Sequence, residues 1–222
     1  MTDSIQLNSM PIRSELSATR LRLRFLPVCL AMIVAAVPAP ATTVRPPTFA
    51  ELVNESDYIV RAVVKSVTSE WREKQGQRHI FTKVEVEVLE VINGTPPQPL
   101  VLEMLGGRVG DEEMVIDGMP RFEVGQEDIL FVRGNGRQFY PLTAAMHGRY
   151  PIHRQKDGRA HVTRSNQVPL HYATEVALPM ADGTVAESQQ SLTSNTTPLT
   201  PEQFVQQIRT AVNVNYHRAS EN

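Results

Sequence analysis

The densest run of chemistry-bearing side chains is LGGRVGDEE, Leu105–Glu113, with three glycines, one arginine and three consecutive acids. Three chemistries compete for it: a phosphate loop, a calcium loop, or a plain turn between strands. A phosphate loop closes a glycine-rich turn with Lys-Ser or Lys-Thr at the start of a helix. Here acids follow the glycines, and a strand-like stretch around Met114–Ile116 follows the acids, so an anion would be repelled. Asp111, Glu112, Glu113 and Asp117 supply hard oxygens for calcium. A calcium loop, however, spaces its acids at alternate positions around a glycine, and adjacent acids cannot all face one ion. The turn accounts for more residues. Gly106 and Gly107 permit positive φ or a close backbone approach, and Gly110 turns the chain. Asp111 suits a turn, while Glu112 and Glu113 keep a short edge strand soluble.

The other reactive residues form no catalytic spacing. His79, His147, His153, His161, His171 and His217 make no H-x-H, H-x-x-x-H or H-E-x-x-H pair, so no metal site is expected. No G-x-S-x-G is present, and the serines gather in the leader and the tail. Carboxylates pair as Glu85 with Glu87 and as Glu112 with Glu113, a pattern that reads as solvated surface. No cofactor is implied. Trp71 is large enough to stack on a partner, although a lone tryptophan at a strand end reads first as a lid on the core. Trp71, Arg108 and Arg121 are the candidate partner-binding residues.

Composition bounds the setting. A net charge of −2 and the absence of any basic block interleaved with aromatics exclude nucleic acid as a partner. Arg20–Phe25 is basic, Leu26–Val37 is apolar, and Ala39–Ala41 offers small residues to a signal peptidase. This is a signal peptide over 1–41, cleaved after Ala41, and it predicts a periplasmic or secreted protein. The apolar run is too short for a stable transmembrane anchor. The one cysteine, Cys29, lies inside that leader, so residues 42–222 hold no disulfide and no thiol. Stability must then come from a hydrophobic core.

The elements that position these residues are mostly strands. Thr48–Glu51 is a capping box that opens a short helix. Tyr58–Val67 is a strand with imperfect alternation, which predicts a bulge or two covered faces. In Ile80–Ile92, Val84, Val86 and Val88 alternate with charged residues, and the pattern slips at Leu89–Ile92. Leu100–Met104 and Asp128–Arg133 continue the sheet. Asn135-Gly136 predicts a hairpin from Asp128–Arg133 into Gln138–Leu142, and Gln155–Gly158 predicts a second. Thr200, Pro201 and Gln203 start a closing helix. The expected organisation is a β domain over 48–164, a polar loop over 165–199 and a C-terminal helix over 200–214 packed on the domain.

GGRVG, followed by DGMPRFEVGQEDILFV, resembles a pattern found in uncharacterised secreted bacterial proteins. Gly118, Pro120, Phe122, Gly125, Leu130 and Phe131 carry that resemblance, which covers roughly Thr48–Ile152. The order of elements is also loosely similar to the OB barrels of netrin and metalloprotease-inhibitor modules. That implies a mainly β fold: a small OB-like barrel or sandwich with a short N-terminal and a C-terminal helix. Those inhibitors work through cysteines, which residues 42–222 lack. The expected function is a non-catalytic binding or accessory module for another exported protein or envelope component. The alternatives are a protease-inhibitor-like accessory protein and a hydrolase or metal-dependent enzyme assembled from separate loops.

Overall fold

The computed structural model describes residues 45–74, 76–180 and 196–220, without the side chains of 215–220. The expected signal peptide over 1–41 falls outside these residues. Helix α1 is Phe49–Asn54, and the strands are β1 Tyr58–Lys74, β2 Gln77–Gly94, β3 Leu100–Leu105, β4 Gly107–Val109, β5 Glu112–Met114, β6 Glu127–Val132, β7 Arg149–Arg154 and β8 Ala160–Val162. Helix α2 is Pro201–Ser220. One antiparallel sheet carries six strands in the order β3-β2-β1-β6-β7-β8, and β4 with β5 forms a separate ribbon. The fold is mainly β, as expected, but the main sheet is open and does not close into a barrel.

The irregular alternation of β1 and β2 has a direct cause. Their register shifts between Ile59 and Val60, between Arg61 and Ala62, and between Val64 and Ser66. The first two shifts leave Ile92 and Leu89 of β2 without an opposite residue, where the sequence pattern slips. Each bulge bends the pair and changes which parity faces the core. Both faces of the sheet are covered. On one side Ile59, Ile129, Phe131 and Tyr150 meet Leu52, Phe204 and Ile208 of the helices. On the other side Val60, Val64, Val84, Leu102 and Leu130 meet Phe122 and Leu142. Aromatic rings lock the helix side, with Phe204 lying 5.0 Å from Tyr150 and 6.2 Å from Phe131, centroid to centroid.

Both helices start at capping boxes. The Glu51 N–H donates to Thr48 Oγ1 at 3.2 Å, and Glu51 Oε2 accepts from the Thr48 N–H at 2.7 Å. The Gln203 N–H donates to Thr200 Oγ1 at 3.2 Å, and Gln203 Oε1 accepts from the Thr200 N–H at 2.9 Å. These contacts satisfy N–H groups that a helix start leaves without internal partners.

Three expectations are corrected. Asn135-Gly136 does turn the chain, but Gln138–Leu142 forms no strand; only a single bridge joins Val132 to Leu142. The turn is held by Asp57, which accepts from the Gly134 N–H at 2.8 Å, and β6 pairs with β7 instead. The short strand expected at Met114–Ile116 lies at Glu112–Met114, because it must face Gly107–Val109. Finally, part of the stretch read as a polar loop is core: Leu170 and Val176 have no exposed surface. The second expected hairpin forms between β7 and β8, closed by the Gln155 N–H on the Arg159 carbonyl at 2.8 Å.

His147 is buried in the 3-10 turn Ala145–Gly148, with Nδ1 3.2 Å from the Val176 carbonyl. Burial lowers its pKa below the ordinary 6.5; the Val176 contact opposes this and the Arg164 charge adds to it. Well above pH 6.5 the ring is neutral whether the chain is folded or not. Below pH 6.5 the unfolded chain takes up a proton that the folded chain resists. Stability present above pH 6.5 is therefore lost as the pH falls, at up to about 1.4 kcal/mol per pH unit for this group. Urea titrations from pH 7.5 to 5 should show that decline, and His147→Gln should flatten it.

Candidate functional site

The opening glycine stretch is a turn, and its geometry gives the turn a purpose. Gly106 and Gly107 take φ of +96° and +131°, which fold the β4–β5 ribbon back over β1 and β2. The Gly106 N–H donates to the Ile80 carbonyl at 2.7 Å, and Thr82 Oγ1 donates to the Gly106 carbonyl at 2.6 Å. A Cβ on Gly107 would lie 2.1 Å from Thr82 Oγ1 and 2.6 Å from Ser69 Oγ. Glycine is thus required there for close backbone approach as well as for φ.

The folded-back ribbon roofs a cleft of about 320 Å³. Its floor is Val67 and Val84 of the sheet with Met104, and its roof includes Met114 and Ile116. A second cleft of about 530 Å³ adjoins it, and the two share Met119, Pro120 and Arg121. The chain has eight methionines, of which Met1, Met10 and Met32 lie outside the described residues. The other five, Met104, Met114, Met119, Met146 and Met180, all line these two clefts. Methionine is unbranched and polarisable, so it re-packs around apolar groups of differing shape.

Two of the three candidate partner-binding residues meet here. Glu113 lies 3.2 Å from Arg108 and 3.5 Å from Arg121, at the rim of the first cleft. Both arginines stay largely exposed, at 68% and 82% of their side-chain surface. Glu113, one of the acids considered for calcium, is therefore neutralised by arginine. Trp71 is not part of this set. It is half-buried on β1, outside both core clusters, with the Arg78 guanidinium 4.7 Å above its ring. The core-lid reading of Trp71 is corrected accordingly.

Sequence reasoning missed the residues that hold the clefts open. Arg149 and Asp128 form a buried ion pair at 2.9 Å, with 3% and 1% of their side chains exposed. Arg149 also donates to Gln126 Oε1 at 2.6 Å and to the Arg121 carbonyl, and it lies 4.4 Å over the Phe122 ring. One guanidinium therefore clamps the whole Arg121–Gln126 segment against the sheet. Burial pushes the Asp128 carboxyl above the ordinary carboxylate range, and the Arg149 charge pulls it back. The available signal was parity: Asp128 shares the face of Leu130 and Val132, which is a core face. Three residues of the resembled pattern lie in or beside this clamp, while Phe131 packs on the opposite face of the sheet. Gly118 and Gly125 turn the chain at positive φ, and Phe122 sits under Arg149.

Among the described residues no group of three or more His, Cys, Asp or Glu gathers as a metal site, and no helix is long and apolar enough to cross a membrane. His153 and His161 stack at 5.6 Å, and His153 Nε2 is 2.8 Å from Gln167 Oε1. The fold and clefts define a mainly β protein with an open six-stranded antiparallel sheet and two adjoining clefts of mixed apolar and polar lining. No protein-family model matches the chain, and no curated protein matches its sequence.

Two substitutions test this geometry. Gly107→Ala should lower stability by about 1–3 kcal/mol in thermal or urea unfolding, because the new Cβ displaces the ribbon. Arg149→Met should cost about 3–5 kcal/mol by leaving Asp128 buried without a partner, and Asp128→Leu in the same chain should recover much of that loss.

Proposed function

We propose that this protein is an exported, non-catalytic binding module that holds an apolar segment of another exported or envelope protein in its methionine-lined clefts. One observation carries the reading. Four of the five methionines of the described residues, Met114, Met119, Met146 and Met180, stand partly exposed at two adjoining surface clefts, and the fifth, Met104, lies in the core beneath them. A core needs no such concentration, whereas adaptable binding surfaces use it. The Arg108–Glu113–Arg121 rim adds charges that would orient a partner without closing the groove. A protease-inhibitor-like accessory role is the narrower form of this reading, in which the bound partner is an exported protease. The enzyme alternative would be favoured by a measured turnover that a histidine-to-alanine series abolishes.

The test is capture by the purified, immobilised protein from envelope extract and culture supernatant of the cells that make it. A Met114→Glu, Arg121→Glu double variant serves as the control. One dominant exported protein should be retained by the parent chain and lost by about tenfold or more in the variant, given the usual weight of a central contact. Equal retention by a variant of unchanged melting temperature would place the binding elsewhere. No retained protein would sink the reading.

A further inference from the structure

The main sheet protects most of its edges. On β3, the Asn135 side chain donates to the Val101 carbonyl at 2.7 Å and accepts from the Glu103 N–H at 3.2 Å. The Leu105 N–H donates to the Phe139 carbonyl at 3.2 Å. On β8, the Val162 N–H donates to the Leu199 carbonyl at 2.9 Å. The outer edge of β2 from Glu87 onward carries the bulges at Leu89 and Ile92, which twist an edge away from pairing.

The distal half of β1 has none of these devices. Its pairing with β6 ends at Val63, and the last backbone bonds on that side join Val64 to Gln126 and Gly125. From Ser66 to Lys74 it runs as nine consecutive one-to-one pairs with β2, without a register shift. Among the described residues no backbone bond joins Ser66–Lys74 to anything but β2. A regular edge with free N–H and C=O groups is a template for another strand.

We infer that the occupant is a second copy of this chain, paired antiparallel along Thr68–Lys74 about a two-fold axis at Trp71. The order of side chains suits this partner and disfavours the two adjacent registers. With the axis at Trp71, Glu70 faces the partner's Arg72, Ser69 faces the partner's Glu73, and Thr68 faces the partner's Lys74. No like charges oppose one another. Moving the axis one residue either way places Glu70 against Glu70 or Arg72 against Arg72. Within the chain Arg72 already pairs with Glu103 at 3.0 Å and Glu70 at 2.6 Å, and Glu70 with Lys83 at 3.1 Å, so contacts across the axis extend an existing charge network. The half-buried Trp71 rings, each beneath an Arg78, form the aromatic cross-strand pair at the axis. A two-fold contact of this kind is closed, so it makes a dimer and not a filament.

A residue on the axis meets its own copy, which gives a specific test by sedimentation. The parent protein should sediment as a dimer. Trp71→Asp and Trp71→Arg should each place like charges on the axis and weaken dimerisation by about tenfold or more. An equimolar mixture of the two variants should form a one-to-one heterodimer. Near-ultraviolet circular dichroism and melting temperature would show that each variant is folded. A parent protein that stays monomeric overturns the inference. So does dimerisation that neither substitution affects, or a mixture of folded variants that stays monomeric.

Discussion

Strand β6 has no face to give to water. All six of its residues, Glu127–Val132, are buried, and Ile129–Val132 alternate between the two core clusters. A strand buried on both sides obliges the chain to supply two layers of cover. The helices supply one, through Phe204 and Leu52. The Arg121–Gln126 segment and the β4–β5 ribbon supply the other, and that second layer is what creates the clefts. The two charges within β6 then need partners in the interior. Asp128 takes Arg149, while Glu127 takes Arg61 at 2.6 Å and Arg154 at 2.7 Å. Through Glu202, Arg61 also ties the strand to α2.

The two layers differ in character. The contact of the helix layer with the sheet is aromatic and continuous, with Phe49 and Phe204 of the helices against Phe131 and Tyr150 of the sheet. The opposite layer is thinner and rests on one clamp. Arg149 binds a carboxylate, a side-chain amide and a backbone carbonyl, and its flat guanidinium covers Phe122. A planar group with several donors can tie down a loop in a way that a lysine cannot. Beyond the clamp the cover is incomplete, so Val67, Met114 and Met119 line open clefts where a closed layer would bury them. Incomplete cover over one face of the sheet is the physical origin of the proposed binding surface.

Much of the local structure was legible because it rests on contacts between near neighbours. Both capping boxes link residues three apart, so Thr48 with Glu51 and Thr200 with Gln203 could be read directly. The bulges in β1 and β2 appeared as breaks in alternation, because each extra residue inverts the parity that follows. The hairpin predicted at Asn135-Gly136 failed for a non-local reason. Asp57 captures the turn and β7 takes the place of Gln138–Leu142 beside β6. The sheet stays open because β3 and β8, which closure would join, are each capped by other segments.

The sequence by itself determined the mainly β class, the capped helix starts, the bulged strand pair and the glycine turn at Gly106-Gly107. These follow from side-chain period, from φ preference and from hydrogen bonds between near neighbours. Only the tertiary structure decided that Arg108 and Arg121 share Glu113 while Trp71 stands apart. It alone showed that Asp128 and Arg149 are buried together and that five scattered methionines line adjoining clefts. Those facts depend on which strands are paired and on what covers each face. That choice is made by burial summed over the whole chain, and no short window of residues contains it.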